Sequence, residues 1–175
     1  MKTYVLTVSR TFPAKHKRKG EPTYFVEKIG KGLGLNEVQV REEFGQDILP
    51  KLHTIRENYA EWKKRFEKID AGEACLSIRY HTLGRYVKGN RQVEIARLTK
   101  EDGIGLQIVD LRNEAGVEYL ASIRDGFKSD DRIVSVKKHT IAHNDGLSYN
   151  DFKEWFKGYD LSKPMALIQF TEFRY

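Results

Sequence analysis

Between residues 92 and 137 the chain offers four strand-like stretches and no helical period, which excludes most architectures at once. The stretches, 92–98, 105–111, 118–123 and 132–137, are short, rich in β-branched residues and bounded by turn residues. A doubly wound α/β sheet needs a helix between successive strands, so it fits this run poorly. Helical periods lie on either side of it. Tyr59, Trp62, Phe66 and Ile69 fall on one face of a helix after Asn58, and Phe152, Trp155 and Phe156 on one face of a helix after Ser148. Shorter helices fit residues 24–29, behind Thr23, and 37–44, ended by Gly45. With further strands at 3–9, 73–80 and 166–173, roughly seven short strands and three or four helices predict an α+β fold or a partly closed barrel.

Local signals refine this outline. Asn58 with Glu61 and Ser148 with Asp151 have capping-box spacing, as does Asn36 with Gln39. Gly30, Gly32 and Gly34 spell G-x-G-x-G without the strand and spacing of a dinucleotide loop, and read as flexible punctuation. His139 and His143 stand four apart, a chelating interval on a helix, but Thr140, Ile141, Asn144 and Gly146 argue for a loop and a surface pair. Neither a metal nor a cofactor is expected.

Composition narrows the setting. The length of 175 residues suits one domain, and nine Tyr, nine Phe and two Trp supply its core. One cysteine excludes an intramolecular disulfide and a Cys-rich zinc site; Cys75, among Ala74, Leu76 and Ile78, reads as a small core residue. No apolar run reaches membrane-spanning length, and the start of the chain reads as a strand, not a signal peptide, so a cytoplasmic protein is the default expectation. The net charge of +6 favours an acidic partner such as RNA. The loop Lys15-His16-Lys17-Arg18-Lys19 is a solvated turn on the bland reading and a phosphate contact through Lys17 and Arg18 on the functional one. Arg79 and Tyr80, with Arg85 and Tyr86, combine cations with rings that can follow a single strand.

The segment Lys51-Leu52-His53-Thr54-Ile55-Arg56 carries the chemistry. On a strand, Thr54 and Arg56 share one face, with His53 and Ile55 on the other. A bend at Pro50 would return Lys51 to the Thr54 side, since proline fixes φ. Two cations beside a hydroxyl suit a phosphate or a polarised carbonyl. A half-buried strand with solvated cations is the competing structural reading.

These motifs resemble the ASCH family, whose fold is similar to the PUA domain, a small β-barrel of mixed strands with helices packed outside. Lys51, Thr54 and Arg56 match the polar positions of its G-x-K-x-x-T-x-R strand, Phe25–Ile29 its first helix, and Asp145-Gly146-Leu147-Ser148 its late D-G-x-S turn into a helix. Leu49 stands where the motif has glycine, which points to an insertion at about 30–50 within a single domain of residues 1–175. Asp125-Gly126-Phe127-Lys128-Ser129 is a second D-G-x-x-S-like stretch, but no amphipathic helix follows it.

The resemblance implies RNA or nucleotide binding. Some members are amidohydrolases acting on N4-acetylcytidine, and others are ribonucleases. On the amidohydrolase reading Thr54 is the nucleophile, Lys51 takes its proton or eases alkoxide formation, and Arg56 holds an oxyanion or phosphate. Asp145 stands near the position of a family glutamate, one methylene shorter, so binding without turnover competes with catalysis. The candidate catalytic set is Lys51, Thr54 and Asp145. Candidate ligand contacts are Arg56, Lys51, His53, Arg79, Tyr80, Lys17 and Arg18. A protein-interaction module built on residues 15–19 and 30–50 is the third reading.

Overall fold

The run Tyr4-Val5-Leu6-Thr7-Val8 is rich in β-formers, and the computed structural model forms β1 from it, Lys2–Val8, with Leu6 and Val8 inside and Val5 exposed. The structure describes residues 1–35, 48–83, 86–112, 120–125 and 132–175. Strand β1 pairs in parallel with β3 (Ala74–His81), Leu6 opposite Ile78, and β3 pairs antiparallel with β4 (Gln92–Leu98). A parallel pair needs a long crossover. Here it contains α1 (Phe25–Gly32), β2 (His53–Arg56) and α2 (Tyr59–Asp70).

The second sheet has five strands in the order β2, β8 (Met165–Gln169), β5 (Gly105–Asp110), β6 (Leu120–Asp125) and β7 (Val134–Lys137), with every pairing antiparallel. Two further helices, α3 (Lys138–Asn144) and α4 (Tyr149–Phe156), lie between β7 and β8. All five residues of β8 are buried, as central strands covered on both faces are. Ile55, Phe66, Ile78, Val109, Ile123, Phe152 and Ile168 belong to one hydrophobic core reached from both sheets and the helices.

The expected PUA-like barrel is therefore corrected. The described residues form an α+β fold of two separate sheets, three-stranded and five-stranded, with four helices and no closed barrel among them. The pairing explains why: β3 bonds β1 and β4, while β2 bonds β8, so no described strand joins the two sheets' ladders.

Several local expectations change as well. Gly30 and Gly32 lie inside α1, and Gly30 is buried. A Cβ on Gly32 would stand 2.7 Å from the Lys51 carbonyl oxygen, so this glycine permits close approach and is not flexible punctuation. Asn58 precedes α2 in a left-handed conformation, φ 60°, and its side chain makes no cap. Residues 138–144 form a helix where the composition argued for a loop. There His139 stacks on Tyr149 at 4.9 Å, and His143 is exposed. By contrast Ser148 Oγ accepts the Asp151 backbone N–H at 3.1 Å, the expected N-cap of α4. The expected helix at 37–44 lies outside the described residues, as do Arg85 and most of the stretch 125–129.

Candidate functional site

Asp145 is placed by the way α3 stops. Gly146, at φ 73°, donates its N–H to the His143 carbonyl, and Leu147 donates to the Ala142 carbonyl, the paired bonds of a Schellman ending. Leu147 is buried, which anchors the turn. The consequence is that Asp145 points inward, 4 % exposed, where a surface aspartate would face water.

Lys51 meets it from the other side. Residue 51 bridges residue 145 outside the named strands, its N–H donates to the Lys28 carbonyl, and the Leu52 N–H donates to the Asn144 carbonyl. The ammonium is 1 % exposed. It donates to Asp145 Oδ1 at 2.6 Å and to the Asp145 carbonyl at 2.9 Å, and it lies 4.1 Å from the centre of the Phe25 ring. A buried cation and a buried anion thus share one contact, and neither is affordable without the other.

Their protonation follows from that burial. Desolvation pulls Lys51 down from 10.5 to about 8, against the pull of Asp145 in the other direction. Desolvation also acts to raise Asp145, but Lys51 and His53 outweigh it and hold the carboxyl below its usual range. At neutral pH both groups are ionised.

His53 stands behind the pair. Its Nδ1 is 3.6 Å from Asp145 Oδ1, an electrostatic contact too long for a good hydrogen bond, and its Nε2 is 2.9 Å from the Tyr175 hydroxyl. Asn144 Nδ2 donates to that same hydroxyl at 3.0 Å. The tautomer that satisfies these groups sends the phenol proton to Nε2 and leaves the ring proton on Nδ1, facing Asp145. Burial lowers the affinity of His53 for a second proton and raises the Tyr175 phenol, so both stay neutral.

A cavity of about 110 Å³ opens in front of the pair, lined by Lys51, Asp145, Thr54 and Arg56, by Thr7–Ser9, and by the rings of Phe25, Trp155 and Phe156. Thr54 is 3 % exposed, and its hydroxyl has no hydrogen-bond partner among the described residues. Arg56, half-buried, donates to the Ile55 carbonyl at 3.1 Å and to the Thr7 carbonyl at 2.9 Å. Carbonyls leave its charge uncancelled, and it forms no ion pair among the described residues. Desolvation lowers its pKa, yet a guanidinium remains charged. Two cations against one carboxylate make the wall positive overall.

The structure thus brings together Lys51, Thr54, Arg56 and Asp145, and sets His53 behind them. The other candidates lie elsewhere. Arg79 donates to Ser77 Oγ at 2.7 Å and pairs with Glu94, and Tyr80 does not line the cavity. Arg18 pairs with Glu21 at 2.7 Å and Asp151 at 2.9 Å, and Lys17 with Glu154 at 3.6 Å, so these loop cations are neutralised by their own neighbours. Sequence reasoning missed the aromatic wall. Phe25 and Trp155 were legible only as core positions at helical spacing, though their rings lie 5.5 Å apart at the cavity.

A second cavity, about 140 Å³, sits beneath α4 and is lined by Leu111, Phe152, Phe156 and Leu161 with Lys138, Lys153 and Lys157. It offers ammonium groups over an apolar floor.

No family model, no curated protein and no solved structure matches this chain.

Proposed function

We propose that this protein binds a nucleotide unit, free or within RNA, in the cavity built on Lys51, Thr54, Arg56 and Asp145, as its resemblance to the ASCH family implies. The observation that carries the reading is the Arg56 guanidinium, in ion-pair contact with no described acid, beside the unpartnered Thr54 hydroxyl in a cavity walled by three aromatic rings. Arg56 supplies charge-assisted donors for a phosphate or a base carbonyl. Thr54 donates or accepts, and Trp155 and Phe25 offer rings on which a base can stack. Asp145 cancels the Lys51 charge and so prevents the wall from becoming a purely cationic sink.

Titration of nucleoside monophosphates and short RNA into wild type, Arg56→Ala and Thr54→Val tests this. Loss of a charged hydrogen bond of ~1.5–3 kcal/mol predicts about tenfold or greater weakening for Arg56→Ala. Equal affinities in all three proteins would sink the reading.

One observation favours a second reading, hydrolysis of an N4-acylated cytidine or related amide with Thr54 as nucleophile. Lys51, at about 8, is poised to give up its proton near neutral pH, as a general base must. Against it, both hydrogen bonds of the ammonium go to Asp145 and none to Thr54. Catalysis would require the guest to draw Lys51 off its carboxylate. Release of cytidine from N4-acetylcytidine by wild type, abolished in Thr54→Val, decides for the enzyme. Absence of cytidine at high protein concentration decides for binding alone.

A further inference from the structure

The cavity has a larger neighbour. Thr7, Val8 and Ser9, which form one of its walls, also form a wall of a groove of about 700 Å³ that crosses the ends of β1 and β3. The opposite side is made by His81, Thr82 and Leu83. No carboxylate lines this groove among the described residues. Its cation is Arg10, whose guanidinium lies 5.5 Å from the centre of the Tyr80 ring and donates to the Thr82 carbonyl at 3.4 Å. A ring and a carbonyl hold the charge in place and leave it uncancelled, in contrast to the acid-paired cations of the loop 15–19. Leu83, 49 % exposed, adds an apolar surface beside it.

Size then decides what can occupy both spaces. The cavity, at about 110 Å³, falls well below the ~300 Å³ at which small-molecule sites begin. One base or one phosphate fits such a volume, and the remainder of the ligand must lie outside. The wall shared with the groove sets the nearest open space for that remainder beside an uncancelled guanidinium. A duplex cannot follow it, because a paired and stacked unit does not reach into a pocket.

We infer that the ligand is a single-stranded nucleic acid, with one unit in the cavity and its neighbours along the groove beside Arg10, and not a free nucleoside. The inference rests on the nucleotide reading of the cavity. The groove supplies the affinity that grows with strand length, through phosphate contacts at Arg10 and packing of a base or sugar on Leu83.

The test is anisotropy competition with unlabelled RNA and DNA of increasing length, from the mononucleotide upward, on wild type, Arg10→Ala and Leu83→Glu. Both substitutions are at exposed positions, and circular dichroism checks that each variant is folded. Affinity is expected to rise about tenfold or more over the first added units in wild type, from the usual worth of a stacked base. Arg10→Ala and Leu83→Glu should remove most of that gain and leave mononucleotide affinity unchanged. Equal gains for RNA and DNA, or a larger gain for RNA through 2′-hydroxyl contacts, both support the inference. A mononucleotide that binds without any gain on lengthening overturns the inference and spares the cavity reading. A gain that survives both substitutions also overturns it. Failure of every length to bind ends both.

Discussion

Two groups of cations show how differently the same residue types behave in one chain. The loop 15–19 is the densest run of positive charge in the sequence, yet Lys17 and Arg18 lie in water and spend their charge on Glu154, Glu21 and Asp151. His16, in the same loop, is 4 % exposed, stacks on Phe12 at 4.4 Å and bonds the Asp151 carbonyl, so the loop is fastened to α4 as structure. Lys51 and Arg56 are fewer but desolvated, and of the two only Lys51 makes an ion pair among the described residues. Burial, not density, concentrates the field, because the same charge interacts far more strongly where water is excluded.

This contrast breaks first on stability. Asp145→Asn leaves the Lys51 ammonium buried without its counter-ion and should cost ~3–5 kcal/mol in urea unfolding, whereas Lys51→Met with Asp145→Leu together should cost much less than the sum of the two single changes. Additive losses would show that the pair is not a unit.

A pH series sharpens it next. Native Lys51 titrates at about 8 and unfolded lysine at 10.5, so between those values the unfolded chain holds a proton that the native protein has released. Stability contributed by this group therefore rises with pH across that window, while anion binding falls as pH passes about 8. Asp145 works at the other end: its depressed carboxyl stabilises the fold above 3.8, and that contribution is lost as pH falls through its native value. Unfolding and binding followed from pH 3 to 11 in wild type and Lys51→Met check both slopes; the variant should lose the alkaline one.

Thr54→Val, nearly isosteric, should change stability by less than about 1 kcal/mol, since the hydroxyl has no protein partner, yet weaken nucleotide binding several-fold. Calorimetry on the same samples reads both. The smallest effect belongs to the loop: Arg18→Ala, despite two carboxylate contacts, should cost at most ~1 kcal/mol and leave binding unchanged, because exposed pairs are screened. A large binding loss there would restore the loop as a nucleic-acid contact.

How much of this could be read from the residues alone depends on range. The strands at β1 and β4, the helical face of Trp62, Phe66 and Ile69, and the Ser148 cap are local, and each is found in the structure. That Lys51 could share a cavity with Thr54 was legible from Pro50. Barrel closure was not, because it depends on which distant strands pair: β1 with β3 across the crossover, and β2 with β8. Nor was α3, whose Thr140 and Ile141 are poor helix formers; Ile141, fully buried, compensates through packing. Gly32 carried no sequence mark of the Lys51 carbonyl against which it packs. The left-handed Asn58 likewise gave no sign that its capping spacing would go unused.

Arg56 belongs to β2 of the five-stranded sheet, and the carbonyl it grips belongs to Thr7 of the three-stranded one. One clasp between the two sheets is thus the very hand that would greet an incoming phosphate. If the proposed binding holds, occupancy and this contact would draw on one guanidinium: a visitor that took it wholly would loosen the seam there, and one that shared it would tighten it.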